Sequence, residues 1–321
     1  MPLRAVFMGT AELACASLEA LLAAGSCEIA AVVTQPDRPK GRDLKPQPPP
    51  VKITAEKAGL RILQPESARE AAFVSELAAL RADVIIVAAY GQILRQAALD
   101  LPRLGCLNVH ASLLPKYRGA APIQWAILDN EPLTGVTIMK MDAGLDTGGI
   151  LARRAIPIDP DETAAGLHHR LAVLGGELLV ATLPAYAAGA IIPQPQEHAA
   201  ATYARKITKA DGRLDWTRPA LTLRNQIRAF TPWPGACVDW PAQGRPRLLK
   251  IWRAQIEAEH GKAVPGQVIE AGKNGLVVAC GTGALRIEEL QLEGGRKMAV
   301  AEFLAGHDLK PGASLAAANS Q

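Results

Sequence analysis

Asn108 and His110 stand two residues apart in the segment NVHASLLPKYRGAAPIQWAI, residues 108–127. Residues 105–110 (GCLNVH) read as a short strand, and on a strand residues two apart project from the same face. Open α/β sheets bind their ligands at the carboxyl ends of their strands. An amide donor beside an imidazole at such an end can stabilise the oxyanion of an acyl transfer. Asp146 follows in a glycine-rich stretch, AGLDTGG, after the next apolar run. A carboxylate there can orient the imidazole and relay protons. The same spacing fits equally a histidine buried at a strand end and an aspartate in a solvated turn. Residues 112–115 (SLLP) read as a turn able to offer backbone groups to a ligand. Cys106 reads as a small core hydrophobe.

Other chemistries are poorly supplied. A single glycine follows the first apolar run, at Gly9-Thr10, where the dinucleotide fingerprint GxGxxG needs three. The sequence holds neither GxxxxGK[ST] nor HExxH. Cys15, Cys27, Cys106, Cys237 and Cys280 form no CxxC pair, and their number is odd. That pattern argues against a disulfide framework or a metal finger and fits a reducing cytosol.

Strands and helices alternate around these residues. The readings are strands at 3–8, 28–34, 61–63, 83–89, 105–110 and 135–139, and helices at 11–24, 51–58, 71–80, 121–128 and 163–183. The run DVIIVAA at 83–89 is continuous, as a buried parallel strand requires. Alternation of this kind predicts an α/β, Rossmann-like, open and mostly parallel sheet with helices on both faces. Residues 36–50 form a Pro-rich, basic loop. Residues 191–201, with Pro193 and Pro195, read as a linker. A helix at 220–229 is followed by short strands at 247–253, 266–270, 275–279 and 284–291, which predict a small OB-like β-barrel. The expected domains are 1–189, a linker at 190–208, and 209–321.

The chain has 321 residues, is 49% hydrophobic and carries a formal net charge of +4, a composition that builds a core and excludes a mostly disordered chain. Residues 1–208 hold 20 basic and 20 acidic residues, so the whole excess, 15 basic against 11 acidic, lies after residue 208. This suits either a mildly basic surface or a polyanionic partner. Arg205, Lys206, Lys209 and Arg213 cluster at the expected domain junction. No run approaches ~18 consecutive apolar residues, and a soluble cytoplasmic protein is expected.

The ordered series VFMGT at the start, TQPDRPKGR at 34–42, AAYGQIL at 88–94, residues 108–127, GVTIMKMDAGLDTGG at 135–149 and RAFTPWPGA at 228–236 resembles the formyltransferase family that uses 10-formyltetrahydrofolate. The chain is similar to those members whose acceptor is methionyl initiator tRNA. The resemblance implies that Asn108, His110 and Asp146 are catalytic, and that no metal is required. It implies folate contacts from Ser112, Leu113, Leu114, Pro115, Gln92, Ile93, Leu94 and Asp142. It brings the tRNA to Arg38, Lys40, Arg42 and Lys45 of the long loop and to the C-terminal domain. Arg205, Lys206 and Lys209 at the junction suit the same partner. Lys116 and Arg118 stand open between substrate contact and plain solvation. Ala11 stands where proline follows Gly-Thr in the family. A monomer without membrane attachment is expected. Three rivals remain: a formyltransferase acting on an amino-sugar nucleotide, a formyltetrahydrofolate hydrolase and a non-catalytic RNA-binding module.

Overall fold

Leu3–Gly9 pairs in parallel with Cys27–Val33 on one side and with Val84–Ala88 on the other. This computed structural model describes residues 3–40, 45–240, 247–257 and 263–315. Ile62–Leu63 joins the outer edge of Cys27–Val33, and Cys106–His110 joins Val84–Ala88, both in parallel. Leu133–Lys140 and Ile150–Pro157 complete a seven-stranded sheet, each antiparallel to its predecessor. The sheet is therefore mostly parallel, with an antiparallel flank beyond the strand that carries Asn108 and His110.

Ile150–Pro157 has no counterpart among the expected strands. It is an edge strand with Arg153 and Arg154 facing solvent. Half-solvated edges read as polar and lose the apolar signature of their central neighbours. By contrast Val84–Ala88 is buried along its whole length.

Register places Val87 beside Asn108 and Met139 on Asn108's other flank. Cys106, Asn108 and His110 thus share the face of Val87, where Phe73 and Leu77 of helix Ala71–Ala79 pack with Val6, Met8 and Ile85. The opposite face carries Val109, against which Gly175 of the long helix Ala164–Ala187 lies. Helices cover both faces, as expected. That long helix is apolar enough to cross a membrane by length and composition, with a hydropathy of 1.2. Its Leu167, Leu171, Leu178, Leu179 and Leu183 are buried in the fold.

The chain divides into two compact units. The first comprises 1–122, 133–157 and 167–205. Residues 190–205 are bonded into it: Gln194 exchanges two backbone hydrogen bonds of 2.8 Å with Ile150, and Tyr203–Ala204 pairs in parallel with Arg118–Gly119. Within the long 36–50 loop, Arg38–Lys40 pairs antiparallel with Lys45–Gln47. Its first half is anchored by Asp37, which pairs with Lys52 and accepts a hydrogen bond from Gln64.

The second unit comprises 123–132, 158–166 and the chain from residue 206. Its six-stranded sheet runs Ala236–Trp240, Arg247–Glu257, Ala284–Leu292, Gly275–Ala279, Val268–Gly272, with Met298–Ala299 pairing to Ala284–Leu292. Among the described residues every strand pair of this sheet is antiparallel. Helix Ala220–Ala229 buries Leu223 and Ile227 against Leu249, Ile251, Leu285 and Phe303. Arg228 of that helix donates to the carbonyls of Asp159 and Glu162, at 3.3 and 3.0 Å, which stitches 158–166 to this unit.

One charged group at the amino end of the sheet has a predictable pH dependence. The Asp83 carboxylate accepts from the Arg4 backbone N–H at 2.8 Å and from Arg103 Nε at 2.6 Å. The bonds from Arg4 and Arg103 hold its carboxyl below the ordinary range. A depressed native value stabilises the fold above the unfolded value and loses that effect as pH falls through the native one. Asp83→Asn should therefore lower the thermal midpoint at neutral pH, with the gap to wild type closing below about pH 3.9. Melting curves of both proteins from pH 7 to pH 3 check this. A gap that persists unchanged at the acid end would refute the linkage.

Candidate active site

Asn108 and His110 occupy the carboxyl end of a central strand, and Asp146 reaches them from the glycine-rich loop after Leu133–Lys140. Asn108 Nδ2 donates to Asp146 Oδ1 at 3.4 Å. His110 Nδ1 stands 3.8 Å from Asp146 Oδ2. His110 is buried, whereas Asn108 and Asp146 are half-buried.

The ring is oriented by a group the sequence reading did not name. His110 Nε2 lies 2.9 Å from the Tyr117 carbonyl. A carbonyl only accepts, so Nε2 carries a proton in that contact. At 3.8 Å the Asp146 carboxylate is beyond hydrogen-bond reach of Nδ1. Nδ1 is therefore the ring atom left to meet a reacting group. The Tyr117 carbonyl thus joins Asp146, which stands at ion-pairing distance, in fixing the ring. Asp146 is itself fixed by the Gly119 N–H, which donates to Oδ2 at 2.8 Å. Its backbone sits in the left-handed region, φ 51°, which an aspartate tolerates better than most residues.

The loop after His110 is largely turned inward. Ser112 Oγ donates to the Lys116 carbonyl at 2.6 Å. Thr137, opposite His110 in register, donates to the Ser112 carbonyl at 2.7 Å and accepts from the Leu114 N–H at 3.1 Å. Arg153 donates to the Leu114 carbonyl at 2.9 Å. Ser112 and Leu114 are buried, and Leu113 and Pro115 are half-buried. Gln92 spends its amide on the 66–68 segment, accepting from the Ala68 N–H and donating to the Glu66 carbonyl. Leu94 is buried, while Ile93 is 65% exposed. Asp142 caps its own loop by accepting from the Gly144 N–H and Thr147 Oγ1.

Arg118 is neither solvated nor open to a substrate. It is 2% exposed, and its guanidinium donates to Gln196 Oε1 at 2.7 and 3.1 Å. Among the basic residues read as tRNA contacts, Arg38 is exposed and paired with Glu66. Lys45, Arg205, Lys206 and Lys209 are exposed. Arg205 belongs to the first unit, and Lys206 and Lys209 to the second. Lys40 ends a short strand. Arg42 lies outside the described residues.

Cys106 is buried with Sγ toward the carbonyls of Ala98 and Leu99, and burial pushes its thiol up to about 12. It cannot form a thiolate nucleophile near neutral pH. Ser112 is equally closed. An amide, an imidazole and a carboxylate then remain, which is equipment for direct transfer of an acyl group without a covalent enzyme intermediate.

Sheet and site together define an acyl-transfer α/β protein, and sequence comparison makes the class specific. The profile of the Formyl transferase family matches residues 3–183, and that of the Formyl transferase, C-terminal domain, matches residues 206–308. The chain belongs to the formyl transferase family and is a formyltransferase enzyme. It is 48% identical over 318 residues to a protein of Geobacter sulfurreducens named Methionyl-tRNA formyltransferase, covering 99% of this chain and 98% of that one. A protein of the same name from Myxococcus xanthus is 50% identical over 309 residues, 96% of each chain. Among solved structures, an N-formyltransferase from Helicobacter canadensis in complex with folinic acid and dTDP-3-aminofucose is similar in fold. It has a TM-score of 0.62 and 18% identity, with 89% of this chain and 99% of that chain covered. HypX from Aquifex aeolicus, solved with tetrahydrofolic acid, has a TM-score of 0.61 and 19% identity over 95% of this chain and 47% of its own. The family resemblance read in the sequence is borne out.

Proposed function

We propose that this enzyme transfers the formyl group of 10-formyltetrahydrofolate to the free α-amino group of methionyl initiator tRNA, with Asn108, His110 and Asp146 as its catalytic residues. The observation that carries the chemistry is the convergence of those three side chains at one strand end. The acceptor rests on agreement over nearly the full chain with relatives named for it.

The unprotonated amine attacks the formyl carbon, and the formyl oxygen gains negative charge. Asn108 Nδ2–H and the Nδ1–H of a doubly protonated His110 donate to that oxygen. Oriented donors at a developing oxyanion are among the strongest catalytic devices available to a protein. Asp146 takes the proton from the attacking nitrogen and returns it to the departing folate nitrogen, directly or through water. The exposed Ile93 and Leu145 and the half-buried Leu113 belong to the segments that this reading gives to the folate. In the same reading, domain 1–189 holds the folate. The C-terminal unit closes as an OB-like barrel that takes the tRNA backbone, helped by Arg38, Lys40, Arg42 and Lys45 and by Arg205, Lys206 and Lys209.

The test mixes purified protein with 10-formyltetrahydrofolate and methionyl initiator tRNA. Formyl-methionyl-tRNA is expected from the wild type and not from Asp146→Ala. Release of formate and tetrahydrofolate without formylated tRNA would replace the transferase reading with a hydrolase. Formylation of an amino-sugar nucleotide in place of the tRNA would overturn the acceptor.

A further inference from the structure

Gln196 lies 50 residues from Asp146 in sequence and is 5% exposed. Its Nε2 donates to two backbone carbonyls of the catalytic loop, those of Asp146 and Gly148, each at 2.8 Å. Its Oε1 accepts from Arg118 Nη2 at 2.7 Å and Nε at 3.1 Å. The orientation of the amide is forced by its neighbours, since a guanidinium only donates and carbonyls only accept.

We infer that Gln196 is a positioning residue for formyl transfer, one that sets where the Asp146 carboxylate stands relative to Asn108 and His110. The inference rests on the catalytic reading of Asp146 given above. Asp146 is gripped twice. Its side chain is held by the Gly119 N–H, and its left-handed backbone is held at the carbonyl by Gln196. Through Arg118 the same glutamine also holds the residue that stands between Tyr117, whose carbonyl meets His110, and Gly119, whose N–H meets Asp146. One buried amide thus couples both walls of the site. His198 Nδ1, 3.4 Å from Arg118 Nη1 and Nη2, offers only a weaker contact to the same guanidinium. Displacing an acid–base group by about 1 Å can cost on the order of 100-fold in rate.

Gln196→Glu separates positioning from mere support. A glutamate keeps an acceptor for Arg118 and strengthens it by charge, which offsets part of the two lost bonds, so the protein should still fold, with a lowered thermal midpoint. It has no donor for the Asp146 and Gly148 carbonyls and repels both. The expected result is a fall in kcat of about 10- to 100-fold, with KM for 10-formyltetrahydrofolate and for methionyl initiator tRNA essentially unchanged. Gln196→Asn, which keeps the amide on a shorter stem, is the second variant and should lose kcat in the same way. Wild-type kcat in a folded Gln196→Glu or Gln196→Asn protein overturns the inference, provided Asp146→Ala is inactive in the same assay. Full activity of Asp146→Ala would instead overturn the catalytic reading beneath it.

Discussion

Asn108→Ala is expected to lower kcat about 100- to 1000-fold, the usual cost of removing one oxyanion donor. The side chain has two N–H hydrogens. One is directed at Asp146 Oδ1 over a long 3.4 Å contact. In the proposed mechanism the other serves the formyl oxygen as charge develops there. A long contact from a half-buried amide contributes at most about 1 kcal/mol to folding, so the thermal midpoint should hardly move. The large effect belongs to the rate and the small one to stability, which is the signature of a group used in the transition state. Steady-state kinetics beside a melting curve decide the matter. Full turnover from folded Asn108→Ala protein would remove Asn108 from the mechanism.

Gly148→Ala is the second large effect, and it arises from sterics alone. A Cβ on Gly148 would stand 1.8 Å from the Lys140 carbonyl oxygen and 3.2 Å from the Asp142 nitrogen. Both neighbours are backbone, and Lys140 ends the strand Leu133–Lys140. No side chain can swing away to make room, so the loop itself must move. Movement breaks the bonds from Gln196 to the Asp146 and Gly148 carbonyls and carries Asp146 away from His110. Overpacking of this kind costs about 1–3 kcal/mol, and a displaced Asp146 costs about 100-fold or more in rate. Denaturant unfolding and kcat should both fall. A stable Gly148→Ala enzyme with ordinary turnover would show that the loop tolerates a second arrangement.

Much of this molecule was legible along the chain because its signals are local. Helix Ala220–Ala229 and strand Gly275–Ala279 have the boundaries that periodicity and turn residues predict. Helix Glu12–Ala24 ends where Gly25 takes a left-handed conformation and closes a bond to Leu21. The edge strand Ile150–Pro157 escaped, since an exposed edge strand with two arginines carries no apolar run. The short ladder inside the 36–50 loop escaped too, because Pro39 and Pro46 argue against a strand while tolerating an edge pairing.

The site divides along the same line. Local pattern alone puts Asn108 and His110 on one strand face, because the side-chain period of a strand is two, and puts an aspartate next in a loop of small residues. Folding alone set the Tyr117 carbonyl against the imidazole and buried Arg118 instead of leaving it to face a substrate. It alone brought Gln196 to the loop of Asp146. Those contacts join residues up to 78 apart in the chain. Such contacts are chosen by packing and by the need of buried donors and acceptors for partners, and no local pattern records them.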